Sequence, residues 1–113
     1  MNILLIFDVS NAIDMILAFG TKETEQIWEG IRVKKMPIDN QNAGRRKLRM
    51  LNNSQDIADL RIPPSNKLEK LTGKLKDFYS IRINKQWRII FIWDKGNASE
   101  VEIINYHPKR NNG

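Results

Sequence analysis

Two arginines, Arg82 and Arg88, stand in the stretch Phe-Tyr-Ser-Ile-Arg-Ile-Asn-Lys-Gln-Trp-Arg-Ile-Ile-Phe-Ile-Trp at residues 78–93, which is otherwise almost wholly apolar. A guanidinium is costly to bury unless an anion meets it, and its planar fork matches the oxygens of a phosphate. Phosphate binding is therefore the chemistry these two residues offer, provided they can act together. That depends on register. Asn84-Lys85-Gln86 breaks the stretch into two β-branched and aromatic runs, the pattern of a β-hairpin. With only 84–85 in the loop, Arg82 lies opposite Trp87 and the two arginines fall on opposite faces. With 84–86 looped out, Ile83 lies opposite Trp87 and Arg82 opposite Arg88. Tyr79, Ile81, Ile83, Trp87, Ile89, Phe91 and Trp93 then share one apolar face, which makes this register the coherent one. Like charges directly opposite each other repel, so a retained arginine pair argues for a bound anion, above all a phosphate. The competing reading is the ordinary wet face of an antiparallel sheet, and on the hairpin alone it weighs slightly more.

Composition narrows the class. A chain of 113 residues with 41% hydrophobic and 28% charged residues makes one folded domain with a single modest core. There is no cysteine and one histidine, His107, so thiolate and multi-histidine metal sites are excluded. No metal and no cofactor are expected, and a cytoplasmic location fits best. The net charge of +6 is uneven: residues 1–59 hold eight Lys/Arg and eight Asp/Glu, residues 60–113 eleven and five. The half that carries the hairpin is the basic half. Such a footprint suits a nucleic acid, although an acidic protein or a membrane surface would also be drawn to it.

The rest of the chain supplies the scaffold that holds the arginine hairpin. The apolar run at residues 3–7 is too short to span a bilayer and lacks the flanks of a secretory signal. Residues 1–14 read as an extension or an extra edge strand. Residues 15–19 read as the first strand, ended by Gly20. Thr21 then caps a helix whose buried stripe is Ile27, Trp28 and Ile31, with Glu23 and Glu25 near its positive end. A second helix is expected over 40–51, with Ala43, Leu48, Met50 and Leu51 inward, Arg45, Arg46 and Arg49 outward, and Lys47 toward the apolar side. On its own this basic stripe is more simply a solvated helix face, with Lys47 snorkelling. Ser54 is expected to cap a short turn through Leu60. Residues 61–77 are mostly loop, pinned by Ile62, Leu68 and Leu71, and they bring Lys67, Lys70, Lys74 and Lys76. A long ordered loop in a small domain is more often functional than not. Asp94-Lys95-Gly96-Asn97 makes a turn and residues 101–106 the last strand, stopped by Pro108. The sum is an α+β domain: a small antiparallel sheet in the order β-α-α-β-β-β with two N-terminal helices on one face. The domain spans 15–107 and residues 108–113 form a flexible tail.

Three stretches carry a resemblance: Asn66-Lys67-Leu68-Glu69-Lys70-Leu71-Thr72-Gly73, Ser80-Ile81-Arg82-Ile83-Asn84-Lys85-Gln86-Trp87-Arg88-Ile89-Ile90-Phe91, and Val101-Glu102-Ile103-Ile104-Asn105-Tyr106-His107. In this order they closely resemble the HigB toxins of the RelE superfamily, and the second is the most specific. The likeness runs over residues 15–107. It implies a RelE-like fold and a type II toxin that enters the ribosomal A site and cleaves mRNA without a metal. The implied partners are a HigA-like antitoxin with a helix-turn-helix domain, ribosomal RNA and mRNA, with operator DNA reached only through the antitoxin and no membrane. Arg82 and Arg88 match family positions at the active cleft. His107 matches the C-terminal histidine used there for proton transfer, with Tyr106 beside it. Arg45, Arg46, Lys47, Arg49, Lys67, Lys70 and Lys74 become expected contacts to RNA and ribosome. One departure bears on activity. Some ribosome-dependent members carry His or Lys before the central hairpin, where this chain has Leu71-Thr72-Gly73. Either Lys67, Lys70 or Lys74 stands in, or activity is weak.

Two other classes compete: a non-catalytic basic RNA- or DNA-associated module whose arginines merely hold phosphates, and a toxin of the related ParE type that inhibits DNA gyrase. Gln86-Trp87-Arg88 followed by Tyr106-His107 argues against the second.

Overall fold

The computed structural model of the chain describes residues 15–106, so the expectations for the extension 1–14, for His107 and for the tail 108–113 lie outside the described residues. Helix α1 spans Lys22–Trp28 and helix α2 Ile38–Asn53. Four strands follow, β1 Glu69–Lys70, β2 Phe78–Arg82, β3 Trp87–Asp94 and β4 Asn97–Asn105, paired antiparallel in that order in one sheet. The α+β class, the two helices and the antiparallel meander are as the sequence implies. Among the described residues no helix is long and apolar enough to cross a membrane.

The hairpin takes the register with 84–86 in the loop: Arg82 pairs with Arg88 and Ile81 with Ile89. Asn84 stabilises the loop, its Oδ1 accepting from the backbone N–H groups of Gln86 and Trp87, each at 2.9 Å. Ile81, Trp87, Ile89 and Phe91 face a core completed by Ile27, Leu48, Leu51, Leu60 and Val101. The helices pack on this face of the sheet. Gly44 lets α2 come close, since a Cβ there would sit 3.2 Å from Ile103 Cδ1 and 3.4 Å from Ile83 Cδ1.

Several local expectations are corrected. Residues 15–19 make only two isolated parallel bridges to β4, Ile16 to Ala98 and Phe19 to Val101. A bulge explains the gap: β4 slips against β3 between the Ile90–Glu102 and Ile92–Ser99 pairs, with Glu100 at φ 51, so a continuous ladder on that edge is broken. The further strand is instead β1, formed by Glu69 and Lys70 inside the expected loop. Helix α1 has its Thr21 cap, with Oγ1 accepting from the Thr24 N–H at 3.2 Å, but it stops at Trp28. Gly30 at φ 86 turns the chain away and leaves Ile31 exposed. Helix α2 starts and ends two residues beyond the expected span. Ser54 terminates that helix, and the following turn, Ile57–Arg61, is capped by Asp56 and Asp59. Ile62 is 74% exposed and pins nothing. The last strand begins at Asn97, four residues early, after a turn in which Lys95 and Gly96 both have positive φ.

Candidate functional site: an arginine cleft on the outer sheet face

Alternation along β2 and β3 puts Ser80, Arg82, Arg88 and Ile90 on the face opposite the helices. This face is not simply wet. Arg88 is only 6% exposed, and Ser80 is fully buried. The Arg88 guanidinium is held at several points. Its Nε donates to Ser80 Oγ, and its Nη2 donates to the Lys67 carbonyl at 2.8 Å. The same Nη2 lies 3.8 Å from Glu69 Oε2, and the guanidinium carbon is 5.2 Å from the centre of the Tyr106 ring. Nη1 has no hydrogen-bond partner among the described residues. Burial pulls the Arg88 pKa below its ordinary value, partly offset by Glu69 and then Tyr106, while Arg82 lowers it further. The cation persists because charge-assisted bonds replace the water it loses.

Arg82 differs. It is directly opposite Arg88 and half-buried, and its side chain makes no hydrogen bond or ion pair among the described residues. Lys67, Arg82, Asn84, Lys85, Arg88 and Tyr106 line a cleft of about 180 Å³. Four cations thus surround a space whose nearest paired carboxylate, Glu69, reaches only Arg88. An unneutralised cluster of this kind suits a phosphate, with one rigid guanidinium and one free to turn its fork onto the ligand.

Of the expected site residues the structure brings together Arg82, Arg88, Tyr106 and Lys67. It adds Lys85 and Asn84 from the hairpin loop, and Ser80 and Glu69 as the groups that hold Arg88. Lys85 was legible in principle, as a cation at the tip of the arginine hairpin. Ser80 was not, because its role depends on a diagonal cross-strand contact. The remaining expected cations lie elsewhere. Arg45 Nε donates to the Ile27 carbonyl at 3.0 Å, and Arg49 lies 5.8 Å from the Trp28 ring, so both brace α2 against α1. Arg46 is exposed. Lys47 is no open contact: its ammonium donates to Asn66 Oδ1 at 2.6 Å, and burial, then Arg46, lowers its pKa. Lys70 sits 5.3 Å from the Tyr79 ring outside the cleft, and Lys74 lies exposed on a short 3-10 turn, Gly73–Leu75. Among the described residues no group of three or more His, Cys, Asp or Glu is placed to hold a metal ion.

Two helices on one face of an antiparallel sheet, with a cationic cleft on the other, define the class as a RelE-like α+β domain. Residues 17–107 match the family described as RelE-like toxin of type II toxin-antitoxin system HigB, and the chain belongs to that family. It is similar to Toxin HigB-1 of Vibrio cholerae serotype O1, 47% identical over 85 residues that cover 74% of this chain and 90% of that protein. It is also 45% identical over 56 residues to an uncharacterized protein of Haemophilus influenzae, covering 50% of this chain and 55% of the other.

Proposed function

We propose that this HigB-family toxin is a metal-independent endoribonuclease that enters the ribosomal A site and cleaves the mRNA there, stopping translation. The observation that carries the reading is the opposed pair Arg82 and Arg88, among the described residues one whose side chain has no partner and one with Nη1 open, in a cleft lined by Lys67 and Lys85. In the proposed reaction the ribose 2′-OH attacks the adjacent phosphorus. As it attacks, the 2′ oxygen gives up its proton to water; the new bond from it to phosphorus forms while the bond to the 5′ oxygen breaks, giving a 2′,3′-cyclic phosphate and a 5′-OH. Charge gathers on the non-bridging oxygens during attack, and preorganised guanidinium donors stabilise it there more than in the ground state. Arg82 turns its fork onto the phosphate while Arg88, held by Ser80, Lys67 and Glu69, supplies Nη1 and a fixed field. His107 protonates the leaving 5′ oxygen, as the family resemblance implies, and Tyr106 shields Arg88 from water. The lysines Lys67 and Lys85 steer the neighbouring phosphates into place.

The partner set follows the same reading: a HigA-like helix-turn-helix antitoxin that restrains the toxin and carries it to operator DNA, with action in the cytoplasm. The test is purified toxin in a translating extract, with primer extension on the mRNA. New 5′ ends at ribosome-occupied codons that vanish when initiation is blocked support the reading. A second reading, a non-catalytic RNA-associated module, draws on the commitment of Arg88 Nε and Nη2 to protein partners. It predicts inhibition with intact mRNA in the same assay.

A further inference from the structure

The loop that carries Lys67 reaches from α2 to the arginine face, and one side chain fixes it. Asn66 is fully buried between the two. Its Nδ2 donates to the Leu60 carbonyl at 3.0 Å and the Ile62 carbonyl at 3.4 Å and lies 3.2 Å from Met50 Sδ, while its Oδ1 takes the Lys47 ammonium. An amide with both ends engaged has no alternative rotamer that keeps its bonds. Immediately after it, Lys67 sits in the left-handed region at φ 47, ψ 54, a conformation few non-glycine residues adopt because its local cost must be offset by surrounding contacts. In that conformation the Lys67 carbonyl accepts from Arg88 Nη2 and Lys67 lines the cleft.

We infer that Lys47 and Asn66 are positioning residues for the cleft: Lys47 locks the Asn66 amide, which imposes the left-handed turn at Lys67 and thereby aims Arg88. This assigns Lys47, a cation of the basic helix, to the interior of the site's support rather than to RNA. The inference rests on the cleft being the RNA site, and its test separates the two. A positioning residue acts through geometry, so its loss lowers the rate at saturation and leaves the affinity for charged surfaces alone. An RNA contact does the reverse.

The experiment compares Lys47→Met, which keeps the aliphatic stem but removes the donor, with Lys47→Arg, which restores one. Each is assayed well below its own unfolding midpoint. The first arm follows the Arg88 Nε–H by nitrogen-15 NMR, which needs no activity. In Lys47→Met its hydrogen exchange accelerates on the order of tenfold or more while core amides stay protected, and Lys47→Arg returns it toward wild type. Unchanged Arg88 exchange in a folded Lys47→Met variant overturns the inference, whether or not the protein cleaves RNA. The second arm measures single-turnover mRNA cleavage and ribosome affinity. The rate at saturation falls roughly 10- to 100-fold, the scale of a small misplacement of a reacting group, with affinity unchanged. Weaker affinity with a normal saturated rate makes Lys47 an RNA contact and overturns the inference. No cleavage by the wild type removes the RNase reading, and the NMR arm then decides the positioning role. Asn66→Asp, which keeps the acceptor for Lys47 but loses the donors to Leu60 and Ile62, also accelerates the Arg88 exchange.

Discussion

Replacing Ser80 with alanine isolates the support of Arg88 without touching the open side of the cleft. Ser80 is fully buried, and its Oγ is the acceptor for Arg88 Nε across the β2–β3 pair. The substitution removes one oxygen and leaves almost no cavity, so the packing term is small. What remains is a buried, charged N–H without an acceptor. A hydrogen bond to a charged group contributes about 1.5–3 kcal/mol, and an orphaned charged donor costs its full desolvation. Ser80→Ala is therefore expected to destabilise the domain by about 2 kcal/mol, or ~10 °C in Tm for a domain of this size. Urea unfolding measures it as a lower midpoint at an unchanged m value. The companion variant is Arg88→Met, and the double variant Ser80→Ala/Arg88→Met should cost clearly less than the two singles added, because the charge left unpaired by the first is absent in the second. A Ser80→Ala loss below about 0.5 kcal/mol, or strict additivity in the cycle, would refute the idea that Ser80 holds the guanidinium.

Further outcomes follow from the same geometry. Among the described residues Arg46 is the arginine of α2 without a brace, so Arg46→Ala should reduce the salt slope of ribosome binding by about 1 at constant cleavage rate, whereas Arg45→Ala should lower the unfolding midpoint instead. Lys47 has a folded pKa depressed below its ordinary 10.5. Between the two values the unfolded chain holds more protons, so stability rises with pH across that window, and urea titrations should show wild type gaining on Lys47→Met as pH climbs toward 10.5. A chain begun at Met15 should unfold at nearly the same midpoint as the full chain, since the family match starts at residue 17. A drop of more than a few degrees would make residues 1–14 integral to the fold.

The hairpin was legible because its chemistry is local. Seven apolar side chains must share one face, and only the loop 84–86 achieves that, which forces Arg82 opposite Arg88. The Thr21 cap and the turn at Lys95-Gly96 were readable for the same reason. Residues 15–19 were not, because an apolar run looks alike whether it completes a ladder or is interrupted by a bulge on its neighbour. That bulge, at Glu100, carries no sequence mark. The supports of the site stayed hidden since they join distant positions: Lys47 to Asn66, Lys67 to Arg88, Ser80 to Arg88. Lys47 reads as a lysine on the apolar side of a basic helix whose ammonium snorkels to water, until the buried amide that receives it is known. Glu69 was hidden likewise, in a two-residue strand too short for any periodicity to announce.

The most direct test of the account is single-turnover cleavage of ribosome-bound mRNA by Arg82→Ala beside the wild type. The Arg82 side chain makes no hydrogen bond or ion pair among the described residues, so the variant should keep its unfolding midpoint and its ribosome affinity within about a factor of three, while the rate falls roughly 10²- to 10³-fold, as for the loss of one preorganised donor to the reacting phosphate. An Arg82→Ala protein that cleaves at the wild-type rate would contradict the account: the unpaired arginine opposite Arg88 would then be an ordinary solvated charge, and the cleft not the place where mRNA is cut.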